Sequence, residues 1–365
     1  MTVPAGNIIT SVLHVIRNRL GEKMDFKTLL DKEEYRFIHD NRHLGSKIIL
    51  LGVCGSYGYG TNVEESDIDL RGITLNSVSD LIGMTEYEQF VDTKTDTVIY
   101  SFKKLVSLLL NCNPNTIEIL GLDDDQYLIR TPVGQELLDN SHLFLTKRAA
   151  YSFGHYADAQ LRRIQNATAR DTLPQPSVEE HILRSATYAL KDFNSKQREK
   201  GGSEIDARLY IGDAQTKGLE KEIYIEADIQ NIPLRSYNIM MKTLNSVVKE
   251  YDRIGRRNNK KDDAHLNKHA MHLVRLFMMG LDILGKGEIR THRPDSDLRL
   301  LMDIRRGKYM EGGVLSPEFY EIVTDYEKRF QEAEKGSRLP DEPDMEAINR
   351  FVENVNRRIV TREIG

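Results

Sequence analysis

The sequence predicts an α+β fold: a small mixed sheet with flanking helices at the N-terminal side, followed by a mostly helical region. Three observations carry this. The run Lys47 to Val53, KIILLGV, is a continuous apolar stretch of strand length that breaks into a glycine-rich turn, Gly55-Ser56-Tyr57-Gly58-Tyr59-Gly60. Two further strand patterns follow before residue 102. Beyond about residue 125, helical periodicity dominates. The expected division is a catalytic head over 1–125 and a mostly helical nucleotide- and acceptor-binding domain over 126–365.

Element by element, Ile8, Ile9, Val12, Val15, Ile16 and Leu20 lie at helical spacing and predict an opening helix over 7–20. The strand at 47–53 comes next. A second strand is expected from near Asp67, reading IDLRGITL. Residues 87–101 read as a hairpin turning near Lys94, whose return strand DTVIYS leads into a helix at Ser101. That helix carries Phe102, Leu105, Val106 and Leu109 on one face and stops near Asn113-Pro114. Asp123-Asp124-Asp125 reads as a helix start. Further helices are predicted over 147–165, 178–196, 235–252, 264–284, 317–334 and 344–360. The last two have start signals, Ser316-Pro317-Glu318 and Pro343-Asp344. Residues 200–233 show no usable pattern.

Composition sets outer bounds. The 365 residues are 39% hydrophobic and 29% charged, enough to bury a full core. No apolar run reaches bilayer length, and the first twenty residues lack the marks of a secretory signal, so a cytoplasmic protein without membrane partners is expected. Two cysteines, Cys54 and Cys112, exclude a disulfide scaffold. The net charge of −5 means that any nucleic-acid surface must be local.

The chemistry concentrates between Gly55 and Asp69. A strand delivers a Gly-Ser turn, and a second strand carries Asp67 and Asp69. Residues i and i+2 of a strand share a face, so both carboxylates face that turn. Glycine lets backbone approach a ligand, and freed amides can cradle phosphate oxygens. Paired carboxylates are costly unless a cation neutralises them, which points to Mg²⁺ or Mn²⁺. A third carboxylate would complete a two-metal site for phosphoryl transfer. Asp96 is the best placed and Asp92 the alternative.

The segment GSYGYGTNVEESDIDLRG resembles the Gly-Ser…Asp-x-Asp signature of the DNA polymerase β nucleotidyltransferase superfamily. More narrowly, its continuation into Arg71-Gly72 resembles the group linked to RNA repair, RlaP or YcgL-like. The resemblance extends through DTVIYSFKKLVSLLLNCNPNTIEIL, NKHAMHLVRLFMMGLDILGKGEI and the Ile304-Arg305 region. It implies a polymerase-β-like head in which Gly55 and Ser56 grip the β- and γ-phosphates of a nucleoside triphosphate, with ATP favoured. Asp67 and Asp69 would bind the metal, and Asp96 would complete the site that activates the incoming hydroxyl. Tyr57-Gly58 departs from the basic-then-small pattern often found there.

Other residues have both structural and functional readings. Lys268, His272 and Arg275 share a helix face, either solvated or forming a phosphate or base clamp. His265, His269 and His272 have zinc-compatible spacing among neighbouring cations that oppose it. The run Arg253 to Lys261 is a solvated loop or an RNA-backbone contact. Arg71 is a candidate nucleotide contact. Tyr57 and Tyr59 either stack on a base or pack the turn. Glu118 and Cys54 are given structural roles.

The expected activity is transfer of a nucleoside monophosphate to an RNA end, tRNA included. Two alternatives stand beside it. The same head could modify a protein or small molecule, because it reads only the triphosphate. It could also serve as a nucleotide-binding or antitoxin-like module without turnover. Oligomeric state is not readable.

Overall fold

The computed structural model describes residues 26, 28–172, 180, 182–184, 186–191, 193–194, 205–217, 220–227, 232–256 and 263–364. The helix expected over 7–20 lies outside the described residues, as do 257–261 of the basic run. The architecture is α+β, with one small mixed sheet, flanking helices and a helical C-terminal region. Packing groups the chain into two compact units. The first takes residues up to Ala149 with Asp282–Arg293 and the chain from Arg338 onward; the second takes Ala150–Leu281 and Pro294–Ser337. The boundary expected at residue 125 follows a change in periodicity, whereas these units follow contacts and are discontinuous in sequence.

The first unit is built on β1 (Ile48–Val53), whose six residues are all buried. This strand is interior, between β2 (Leu70–Thr74) and β5 (Tyr127–Arg130), both antiparallel to it. Burial on both faces explains its unbroken apolar run. A short helical turn, α1 (Gly55–Gly58), follows β1. Strand β2 begins at Leu70, not near Asp67 as the sequence suggested. The last paired residues are Val53 and Leu70, and the last bond runs from the Cys54 amide to the Asp69 carbonyl at 2.9 Å. Beyond that, the partner chain turns away into α1, leaving 67 and 68 nothing to pair with.

A capped turn, α2 (Val78–Ile82), leads to β3 (Gln89–Asp92) and β4 (Thr97–Ser101), with the hairpin turn between them where expected. Strand β4 pairs parallel with β2, so the sheet order is β3-β4-β2-β1-β5. The Ser101 hydroxyl caps α3 (Phe102–Leu109), accepting from the Lys104 amide at 3.2 Å. Phe102, Leu105, Val106 and Leu109 are buried, as the predicted stripe requires. Asn113 then caps α4 (Pro114–Ile117). Asp123 caps a short 3₁₀ turn into β5, and α5 (Pro132–Asp139) follows.

The second unit contains most of α6 (Arg148–Thr172), the hairpin β6 (Ala207–Asp213) and β7 (Lys221–Ala227), and α7 (Leu234–Arg256). It also holds α8 (Asp263–Lys286) as far as Leu281, α9 (Asp295–Arg305), the short pair β8 (Met310–Glu311) and β9 (Val314–Leu315), and α10 (Pro317–Gly336). One of its cores gathers Ile182, Leu190, Phe193, Ile205, Met240 and Leu244, and Leu209 and Ile223 of the hairpin pack against it. The final helix, α11 (Met345–Val360), returns to the first unit, where Phe351 meets Phe102 edge-on at 5.9 Å.

Asp282–Arg293 also packs in the first unit. Asp282 accepts from Lys286 at 2.8 Å, from Arg290 at 3.4 Å and from Arg293 at 2.6 Å, and the Arg293 side chain is almost wholly buried. Thr291 donates to the Gly121 carbonyl from its amide at 3.1 Å and its hydroxyl at 2.8 Å. A side chain at Gly121 would stand 2.5 Å from the Ile289 carbonyl, so only glycine admits this approach. Asp282→Ala would leave a buried guanidinium without its carboxylate. The expected loss is about 3–5 kcal/mol, read as a lowered urea midpoint for the first unit.

Candidate active site

The site starts where β1 ends. Gly55 has φ +59°, which turns the chain sharply into α1. A Cβ here would overlap the Asp69 carboxyl group, so the glycine makes room for that carboxylate. The turn is pinned by Gly58 N donating to Cys54 O (3.1 Å) and Thr61 N to Ser56 O (2.8 Å). The Gln126 amide nitrogen adds bonds to the carbonyls of Tyr57 (3.1 Å) and Gly58 (3.3 Å).

Parallel pairing of β2 with β4 sets Leu70 beside Thr97, and therefore Asp69 beside Asp96. The two carboxyl groups share a hydrogen bond. Burial, that hydrogen bond and the Asp96 charge push the Asp69 carboxyl up to about 7, while Arg71 opposes the rise. Asp96 has φ 43°, in the left-handed region that an aspartate tolerates at some cost. The conformation lets its carbonyl accept from Leu70 N at 3.2 Å and from Arg71 Nη1 at 2.6 Å. Arg71 Nη2 lies 3.3 Å from the Asp96 carboxylate and 3.6 Å from that of Asp69. Arg71, expected to contact nucleotide, thus serves here as counter-ion to the pair.

Asp92 instead braces the hairpin turn, accepting from Thr95 N at 3.1 Å and Thr95 Oγ1 at 2.7 Å. Asp67 is exposed, and its charge helps raise the Tyr57 phenol, after burial. The structure thus brings Asp69 and Asp96 together and leaves Asp67 outside the pair. As the side chains stand, the described residues contain no group of three or more His, Cys, Asp or Glu placed to hold a metal ion. The Asp69–Asp96 pair nonetheless fits a hard divalent cation: two adjacent carboxyl groups, one of them pushed up by burial and by the other, offer oxygen ligands for which a cation would compete with the proton.

Sequence reasoning missed the reach of Glu118. It is 8% exposed, and its charge acts on both Asp69 and Arg71. A buried glutamate in an otherwise apolar run, TIEIL, was the available signal. Tyr59 is 4% exposed, so its ring packs the turn and offers no stacking face. Gly55 and Ser56 lie in α1 beside the pair. Lys268, His272 and Arg275 lie on α8 in the second unit, Lys268 exposed and the other two half-buried. His269 and His272 both turn Nδ1 toward Gln160, away from any shared zinc geometry.

The segment carrying the pair can be compared with known families. Residues 30–191 match the model of RlaP, the RNA repair pathway DNA polymerase beta family. The match spans the whole five-stranded sheet and the carboxylate pair, and supports the RlaP-like polymerase β assignment for that segment. Helix α8 lies beyond it. No curated protein matches the chain. No helix among the described residues is long and apolar enough to cross a membrane.

Gly55→Ala should displace the Asp69 carboxylate while leaving the sheet folded. The expected result is loss of Mn²⁺ binding, followed by electron paramagnetic resonance, with an unchanged far-ultraviolet circular dichroism spectrum.

Proposed function

We propose that this chain is a metal-dependent nucleotidyltransferase. It moves a nucleoside monophosphate from a nucleoside triphosphate, ATP favoured, to a hydroxyl at an RNA end, tRNA included, and releases pyrophosphate. One observation carries the reading: a hydrogen-bonded aspartate pair beside a Gly-Ser turn, inside the segment that matches an RNA-repair polymerase β family. A cytoplasmic setting accords with this role.

Asp69 and Asp96 would hold Mg²⁺ or Mn²⁺, with Asp67 a further oxygen ligand from the same approach to β2. The ion supplies neutralisation of triphosphate charge. Gly55 and Ser56 hold the phosphate tail. The acceptor oxygen bonds to the α-phosphorus, the bridging bond to the β-phosphate breaks, and the proton passes to the exposed Asp96 carboxylate. Arg71 keeps the two carboxylates together between turnovers. The groups that act on the phosphates fall before residue 125, and contacts to nucleotide and acceptor are assigned to 126–365, Lys268, His272 and Arg275 among them.

The test incubates the full chain with Mg²⁺ or Mn²⁺, each α-labelled nucleoside triphosphate, total RNA and cell extract, then separates products on a denaturing gel. Label should enter RNA. In the Asp69→Asn, Asp96→Asn double variant it should fall by about a thousandfold or more, the scale of several kcal/mol of lost charge stabilisation. Label in protein, with none in RNA, would sink the RNA acceptor.

A further inference from the structure

The turn assigned to the phosphate tail has little to fix it from within. Gly55, Gly58 and Gly60 fill three of its six positions, and glycine leaves the backbone many conformations to choose from. The helical turn α1 is only four residues long. A grip on phosphate oxygens needs one of those conformations, set before the ligand arrives. Part of that hold comes from outside the turn, from the loop that runs from Gly121 into β5.

Gln126, half-buried in that loop, reaches back to the turn. Its amide nitrogen donates to the carbonyls of Tyr57 at 3.1 Å and Gly58 at 3.3 Å. Its amide oxygen accepts from the Asp123 backbone amide at 3.0 Å. A backbone carbonyl only accepts and a backbone amide only donates, so main-chain partners at both ends fix which way the side chain lies. Leu122 adds an apolar contact: a Cβ at Gly58 would stand 3.1 Å from its side chain, and one at Gly52 2.5 Å. The loop is anchored in turn by Asp282–Arg293, within the same unit. Thr291 bonds the Gly121 carbonyl twice, and His292 Nδ1 lies 3.1 Å from the Asp123 carboxylate.

We propose that Gln126 is a positioning residue: by tying the carbonyl end of α1 to this anchored loop, it holds Gly55 and Ser56 in the conformation that grips the β- and γ-phosphates. This rests on the nucleotidyltransferase reading and deepens it. The bonds of Gln126 go to the turn and to its own loop, not to Asp69 or Asp96. It therefore acts on the phosphate tail and leaves the metal-binding pair alone. An interaction that holds the tail equally in the ground and transition states sets KM and not kcat.

The experiment uses the full chain with Mg²⁺ and measures equilibrium binding of ATP, tripolyphosphate and AMP, the last lacking the β- and γ-phosphates. Wild type is compared with Gln126→Met, which keeps the length of the side chain and removes its donor, and with Tyr127→Phe. The Tyr127 hydroxyl donates to the Ile119 carbonyl at 2.7 Å and not to the turn, so its removal reports a purely structural cost. Gln126→Met should weaken ATP and tripolyphosphate by about tenfold. Its KM for ATP should rise by a similar factor with kcat little changed. Its binding of AMP, and of Mn²⁺ followed by electron paramagnetic resonance, should match wild type. Tyr127→Phe should melt at a lower temperature yet bind all three probes as wild type does. ATP and tripolyphosphate held as tightly by Gln126→Met as by wild type would overturn the proposal, and so would weakening that extends equally to AMP and Mn²⁺. A wild type that binds neither ATP nor tripolyphosphate removes this inference and the transferase reading together. Dependence on Gln126 in a chain that transfers no nucleotide to any acceptor keeps the positioning role and removes the transferase reading.

Discussion

Two carboxyl groups at hydrogen-bonding distance oppose one another unless something holds them, and the architecture of the first unit can be read from how it holds Asp69 against Asp96. Parallel register between β2 and β4 sets the two residues side by side. The left-handed turn of Gly55 opens the space that the Asp69 carboxylate fills. Arg71 sits against both, and Asp92 stiffens the turn from which Asp96 projects. Each is a local feature, yet together they bring negative charge to one place with the Arg71 guanidinium as counterweight. Burial, the hydrogen bond and the Asp96 charge together push the Asp69 carboxyl up to about 7, the direction expected of a carboxyl group crowded by another.

This arrangement was partly legible in the sequence, for identifiable reasons. The Gly-Ser turn and Asp-x-Asp spacing are local, but the shared face expected of Asp67 and Asp69 assumed a strand there, and the strand begins only at Leu70. Asp96 over Asp92 was not decidable, because both flank one turn and only strand order distinguishes them. Glu118 escaped because its approach to Asp69 depends on how the 3₁₀ turn after α4 meets the sheet, a contact between residues far apart in sequence. Strand β5 is four residues long, too short for its alternation to stand out. The hairpin over 207–227 was hidden because Tyr210 and Tyr224 place aromatic rings on its outer face, stacked at 5.6 Å, and so mask the alternation. The discontinuous units were unreadable for a related reason: periodicity reports which face of a helix is buried, not against what.

The same side-chain type performs two physically distinct tasks here, and the surroundings decide which. Arg71 neutralises carboxylates that the chain itself brings together. Arg293 is sealed against Asp282, where its value lies in ordering the segment that leans on Gly121. The two differ in what removing the guanidinium would expose: at Asp282 a buried carboxylate left without its buried partner, and at the Asp69–Asp96 pair two like charges left facing one another.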